Sequence, residues 1–189
     1  MIIALLGGAI CLLLAGTSLA QKSWSTLQEY EKVTGKKIEK FNEPPMLKVK
    51  VAAGELPPVE QRLPEEPQVI EPLEEIGRYG GTMHLTGVGR EGSELETSMR
   101  NMAELAYDGQ TIVPCVAKGW KISDDYKTLT LYLRKGMRWS DGEPFTADDV
   151  LFWYEDVILN DELTPVKPKE WCPGGKLAKI KKIDDYTVQ

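Results

Sequence analysis

Residues 117–155, AKGWKISDDYKTLTLYLRKGMRWSDGEPFTADDVLFWYE, constrain this chain more than any other stretch. From 128 to 134 apolar and polar residues alternate, which is the period of a half-buried strand. Leu129, Leu131 and Leu133 fall on one face, with Thr128, Thr130, Tyr132 and Arg134 on the other. Upstream, Trp120 and Ile122 alternate in the same way. Ser123-Asp124-Asp125-Tyr126-Lys127 between the two runs has turn chemistry, so a β-hairpin is expected. Ser140-Asp141-Gly142 turns the chain again, and a helix start follows. Thr146 can cap with its hydroxyl, Asp149 completes a capping box, and Phe145 can staple onto Val150. Asp148 and Asp149 complement the positive end of the helix dipole. Val150, Trp153, Tyr154, Val157 and Ile158 then recur at helical spacing and give one apolar face.

The run Ala117-x-Gly119-Trp120, then Ser123-Asp124-Asp125, then Leu133-Arg134-Lys135-Gly136-x-x-Trp139-Ser140-Asp141-Gly142-x-Pro144-Phe145-Thr146-Ala147-x-Asp149-Val150 carries a resemblance. It resembles the motif region of the family 5 extracellular solute-binding proteins, the peptide-, nickel- and oligosaccharide-capturing subunits of ABC importers. In this chain these residues specify a scaffold, not a reaction. Trp120 and Trp139 are expected as core anchors, with a ligand platform as the alternative, because a tryptophan buries so much apolar area. Turn and cap duties account for Asp141, Asp148 and Asp149, so no metal site is expected there.

Hydrophobic content of 42% and charged content of 28% permit a packed core. The formal net charge of -6 argues against nucleic acid or an anionic membrane surface as a partner, since both demand a basic face. A single histidine, His84, leaves little for His-based metal or acid–base chemistry.

The first 21 residues carry no charge, and Ser18-Leu19-Ala20 offers small residues at the two positions a signal peptidase reads. Residues 1–20 are therefore expected to be a signal peptide cleaved after Ala20, giving a periplasmic or extracellular protein. A basic n-region is missing, so an upstream start and an uncleaved anchor are alternatives, as is a lipoprotein through Cys11. Cleavage leaves Cys115 and Cys172, which either bridge in an oxidising compartment or stand as two buried thiols. No CxxC is present, and zinc or thioredoxin-like redox readings fall away.

Residues 21–76 read as a lead-in, not a domain. Seven of the twelve prolines sit between 44 and 72. They forbid long helices and central strands, so the segment is expected to wrap a body made elsewhere, with a short helix before Pro44 and another over 46–53 stopped by Gly54. The wording Glu75-Ile76-Gly77-Arg78-Tyr79-Gly80-Gly81-Thr82 resembles the lead-in of a longer-chain subgroup of the same family.

Gly87-Val88-Gly89-Arg90-Glu91-Gly92 is a literal GxGxxG between an expected strand (82–86) and an expected helix. Ser93 and Glu96 would cap that helix, and Leu95, Met99, Met102, Ala103 and Ala106 would form its apolar face. Against a dinucleotide site, residues 82–86 alternate where a doubly wound sheet wants a continuous apolar strand, and no second strand ending in an acid follows. Asp108-Gly109 makes a turn instead, and Ile112-Val113-Pro114 breaks at a proline. The preferred reading is a loop which, in the resembling family, borders the ligand cleft. That makes Thr86, Val88 and Arg90 the candidates for lining it, with an exposed Gly-rich connection as the alternative.

Beyond a polar loop over 160–169, Ala178 and Ile180 alternate with lysines that read as a solvated face. Asp184-Asp185-Tyr186 turns the chain into a strand at Thr187-Val188-Gln189. That strand is expected to present an open edge and to mark this chain as an N-terminal fragment. Residues 77–189 are accordingly expected to be the N-terminal part of lobe I. The resemblance implies an α/β fold of the periplasmic-binding-protein class II, two-lobed with mixed sheets, of which this chain covers part of the first lobe. It implies capture of a peptide or oligosaccharide-type solute between lobes, delivery to an ABC permease, and a monomer when full length. No catalytic residue and no cofactor is expected. The competing classes are an exported enzyme, either dinucleotide-dependent through 87–92 or a carboxylate hydrolase on the Asp-rich turns, and a structural cell-surface module.

Overall fold

The computed structural model describes residues 22–72, 74–80, 82, 84, 101–106 and 108–189. The signal-peptide reading and the whole 87–92 loop lie outside these residues. So do most of the strand expected over 82–86 and of the helix expected after it. Thr82 and His84, which are described, belong to no strand.

The centre of the fold is a four-stranded antiparallel sheet. Strand β5 (Ala117–Ile122) pairs with β6 (Leu129–Leu133), β6 with β8 (Thr187–Val188), and β8 with β7 (Lys182–Asp184). The expected β5–β6 hairpin is present, with Trp120 opposite Leu131 and Ile122 opposite Leu129. Its turn places Tyr126 at φ 57, a left-handed conformation that an L-residue tolerates only where the turn demands it. Asp125 holds the turn by accepting from Ser123 Oγ at 2.7 Å and from the Lys127 amide at 3.2 Å.

The open edge expected at 187–189 is not found. Strand β8 is an interior strand, held by β6 on one side and β7 on the other. The physical reason is the Asp184-Asp185-Tyr186 turn, which folds β7 back onto the exposed side of β8.

The core lies between this sheet and the capped helix α4 (Ala147–Phe152). Leu133, Phe145, Ala147 and Val188 are buried together, with Met102, Val116, Met137, Val150, Ile180 and Tyr186 packed around them. The expected capping box is formed: Thr146 Oγ1 accepts from the Asp148 amide at 3.2 Å, and Asp149 Oδ2 accepts from the Thr146 amide at 2.7 Å. Such a cap contributes about 1 kcal/mol. The chain continues as a π-helical turn, Trp153–Ile158, which buries Tyr154 and Ile158 on the anticipated face.

A second antiparallel pair, β3 (Ala103–Leu105) and β4 (Ile112–Pro114), closes over the Asp108-Gly109 turn. This corrects the expected helix face, because Ala103 lies in a strand. The β4 partner and the Asp108 turn override the helical spacing of that segment. Pro114 terminates β4 opposite Ala103, where its missing N–H costs no ladder bond.

The lead-in contains three short helices, α1 (Leu27–Thr34), α2 (Pro45–Ala52) and α3 (Val59–Arg62), and two short strands. Strand β1 (Ser23–Trp24) pairs with β2 (Val69–Ile70), so the two ends of the segment meet. Gly54, at φ 74, follows α2 as the sequence suggested.

Candidate functional site

The family-like motif divides into two neighbourhoods, one buried and one exposed. The buried one is built at the end of β6. Alternation placed Arg134 on a solvated face, but the structure leaves it only 2% exposed. Its Nε donates to the Cys115 carbonyl at 2.8 Å, and Nη1 donates to the Glu66 carbonyl at 2.7 Å and to the Ser25 carbonyl. Longer contacts of 3.5 Å join Nη2 to Ser25 Oγ and to the Ala117 carbonyl. A planar guanidinium has five N–H donors in a fixed fork, which is why one side chain can serve carbonyls from several segments. Burial lowers its pKa from the usual value, opposed by the neighbouring Cys115 and Glu66.

Around that guanidinium the lead-in is stitched to the sheet. The Glu65 amide donates to the Lys135 carbonyl at 3.0 Å, Lys118 Nζ reaches Glu66 Oε2 at 2.7 Å, and Gln68 Nε2 donates to the Pro114 carbonyl at 2.7 Å. Ser25 Oγ donates to the Lys118 carbonyl. Gly136 sits where Pro64 and Glu65 pass closest. A Cβ there would lie 3.4 Å from the Glu65 amide nitrogen, and its φ of 80 would be strained for any other residue.

The exposed neighbourhood is the turn before α4. Trp139, expected as a core anchor, is 50% exposed, and Trp120 is half-buried. The reason is local. The Trp139 amide donates to the Glu143 carbonyl at 2.8 Å, Gly142 (φ 99) donates back at 3.0 Å, and Arg138 bridges Pro144. This tight turn directs the indole across the helix start instead of under it. There Nε1 donates to Asp149 Oδ1 at 2.9 Å and the ring meets Phe145 edge-on, centroids 5.2 Å apart. Asp149 therefore serves both the cap and the indole. Asp141 accepts from the Glu143 amide at 3.0 Å, as its turn role required.

Nearby, Lys182 Nζ binds Asp148 Oδ2 at 2.8 Å and Asp185 Oδ1 at 2.7 Å, and its pKa is raised by those carboxylates. Rather than standing on a solvated face, as the alternation of Ala178 and Ile180 with lysines suggests, it braces β7 against the first turn of α4. Cys115 and Cys172 do not form a disulfide. Cys115 is buried and its Sγ lies 3.1 Å from Glu104 Oε1.

The ligand-cleft candidates Thr86, Val88 and Arg90 lie outside the described residues. Among the described residues, no group of three or more His, Cys, Asp or Glu side chains could hold a metal ion, and no helix is long and apolar enough to cross a membrane. A groove of about 390 Å³ opens on the lead-in between residues 40–43 and helices α2 and α3, with Phe41, Val51 and Val59 in its wall. Sequence reasoning gave no sign of it, nor of Ser25, Glu65, Glu66 and Gln68 as partners of the motif. The one available cue was an arginine closing an otherwise regular strand.

Comparison with known proteins adds to this geometry. The profile of the bacterial extracellular solute-binding proteins, family 5 Middle, matches residues 111–189, which include Arg134 and Trp139 but not the lead-in residues around Arg134. The periplasmic alpha-galactoside-binding protein of Rhizobium meliloti is 34% identical over 177 residues, covering 82% of this chain and 26% of the relative. A solved oligopeptide-binding protein OppA superposes with a TM-score of 0.80 at 42% identity, over 88% of this chain and 26% of that one. The chain belongs to the family 5 extracellular solute-binding proteins. The periplasmic binding protein MelB of Agrobacterium fabrum, solved in complex with stachyose, superposes as well, with a TM-score of 0.66 at 31% identity. It covers 90% of this chain and 27% of its own. The chain thus spans about a quarter of the length of these matched proteins. Its fold is the corresponding part of a periplasmic binding protein, with mixed helix and sheet.

Proposed function

We propose that this chain is part of the substrate-binding subunit of an ABC import system. In this reading it captures a peptide- or oligosaccharide-type solute outside the cytoplasm and delivers it to a membrane permease. The observation that carries the reading is the superposition on OppA over 88% of the chain. The alpha-galactoside-binding relative and the stachyose-bound MelB support the oligosaccharide side, and OppA supports the peptide side.

The motif suits this role because Asp125, Asp141 and Asp149 are occupied by turns, a cap and an indole, and Arg134 by carbonyls. Such a site holds a shape and leaves binding to surfaces elsewhere. Solute capture would rest on lobe closure and hydrogen bonding across a cleft, not on covalent chemistry. In this reading residues 1–20 direct export, with cleavage after Ala20 and a periplasmic destination. Residues 21–76 wrap the lobe begun by 77–189, and Thr86, Val88 and Arg90 border the cleft. The full-length subunit acts as a monomer. The matched proteins are solute-binding proteins, and the enzyme alternative gains no support from them.

The test is thermal shift of the full reading frame against stachyose, a panel of short peptides and nickel. A saturable upward shift with one of the first two classes is expected, because a ligand bound only by the native state stabilises it by mass action. No shift with any of them, together with turnover lost on Asp141→Asn or a nicotinamide fluorescence change, would replace the reading by an enzyme.

A further inference from the structure

The lead-in enters and leaves the sheet at one place, and a single side chain meets it on both passes. Ser25, just beyond β1, and Glu66, just before β2, are 41 residues apart in sequence, yet both give their carbonyl oxygens to Arg134 Nη1. The same guanidinium holds the Cys115 carbonyl at 2.8 Å and approaches the Ala117 carbonyl. We propose that Arg134 is a latch, the positioning residue that fixes the two ends of the lead-in strap against the sheet edge at 115–117. The strap would then stay seated even when its own chain is cut.

Three features of the geometry support this. First, the acceptors that Arg134 binds at 2.8 Å or less are main-chain carbonyls, so the contact depends on where the strap runs, not on which side chains it carries. Second, the bonds from a buried cation are charge-assisted and stronger than ordinary amide pairs. Third, each half of the strap has its own further tie. Ser25 Oγ donates to the Lys118 carbonyl for the first half, and Glu65 N to the Lys135 carbonyl at 3.0 Å for the second. Among the described residues, the backbone hydrogen bonds that join the halves to each other are those of the two-residue β1–β2 pair and of the Glu71 amide to the Lys22 carbonyl. The stretch over 35–40 between α1 and α2 is exposed and irregular, and a cut there removes none of these contacts.

Arg134→Lys separates a latch from a bulk structural role. Lysine keeps the charge and much of the stem, but its single ammonium cannot span the Ser25, Glu66 and Cys115 carbonyls together. The experiment replaces residues 36–40 of the full chain with a site-specific protease sequence, cuts it, and follows release of the N-terminal piece by size exclusion under native conditions. With Arg134 present the piece should stay bound. With Arg134→Lys it should leave at least about tenfold faster, the change expected from losing one hydrogen bond to a charged group. Amide exchange in β5 and β6 should remain that of the parent while β1 and β2 exchange faster, a local effect that general destabilisation would not give. Should Arg134→Lys fail to fold, Ser25→Ala, which removes the hydroxyl contacts to Lys118 and Arg134, should still speed release. Immediate loss of the piece from the parent would overturn the proposal. So would equal retention in both variants, or uniformly faster exchange across strap and sheet.

Discussion

The two neighbourhoods of the motif invert the usual roles of their residues. At the end of β6 a guanidinium is 2% exposed, while five residues later an indole is 50% exposed. Local pattern would have placed them the other way round. What differs is the arrival of other segments. Arg134 meets the lead-in at Ser25 and Glu66 and the 115–117 edge at Cys115 and Ala117, and the groups it binds at 2.8 Å or less are carbonyl acceptors that a cation satisfies. The contacts of Trp139 among the described residues are local, to its own turn, to Phe145 and to Asp149 ten residues ahead. Burial is set by long-range convergence in one place and by a tight turn in the other.

The largest expected effect separates these two causes. Arg134→Met keeps an unbranched stem but leaves the carbonyls of Cys115, Glu66 and Ser25 without their donor in a closed site. The cost should be about 3 kcal/mol or more, since each unsatisfied buried polar group costs about 1 to 3 kcal/mol. Urea unfolding followed at the Trp24 ring, which is buried beside Tyr30 in the strap, reads it directly. A loss below about 1 kcal/mol would mean that water replaces the guanidinium, and the contrast between the two neighbourhoods would collapse.

Trp139→Ala should cost less. A core tryptophan would lose about 3 to 5 kcal/mol on truncation. Half-exposed, with one edge-on ring contact and one hydrogen bond, Trp139 should lose about 1 to 2 kcal/mol. Denaturation midpoints of the two variants in the same buffer test the order. If Trp139→Ala proved the costlier change, the indole would be covered by something beyond the contacts described above.

The parts of the fold written in neighbouring residues were legible in the sequence. The β5–β6 hairpin, its Asp125 turn, the Thr146–Asp149 capping box and the buried positions of the following helix each rest on spacings of two to five residues. Misread features depended on partners far away in the chain. Arg134 needed Ser25 and Glu66, β8 needed the return of β7, and Ala103 needed β4 across the Asp108 turn. Trp139 was misread for another reason. Its size suggested burial, but the turn closed by Gly142 and Glu143 decided where the ring could point. The candidate cleft residues rested on a resemblance to the family loop, and no spacing within this chain could position them.

The smallest effect concerns pH and sets the solvent end of the hairpin against the Arg134 end. Asp125 is held below the ordinary carboxylate value of 3.8, chiefly by the Ser123 hydroxyl and then by the Lys127 amide. A depressed folded-state pKa means that the unfolded chain binds the proton more readily. The carboxylate's contribution is therefore present above about pH 4 and is lost as pH falls through the lower folded value. The acceptors around Arg134 are carbonyls and the Ser25 hydroxyl, which do not titrate in this range, so its bonds persist over the same window. Acid should loosen the turn at 123–128 before it disturbs the junction at 115–117. Amide exchange compared at pH 5 and pH 3 should show Lys127 and Thr128 losing protection ahead of Ala117. In Asp125→Asn, which keeps an acceptor oxygen without the charge, that difference should shrink. Equal loss at both ends would mean that the hairpin opens as one unit, and that the two neighbourhoods differ in burial without differing in local stability.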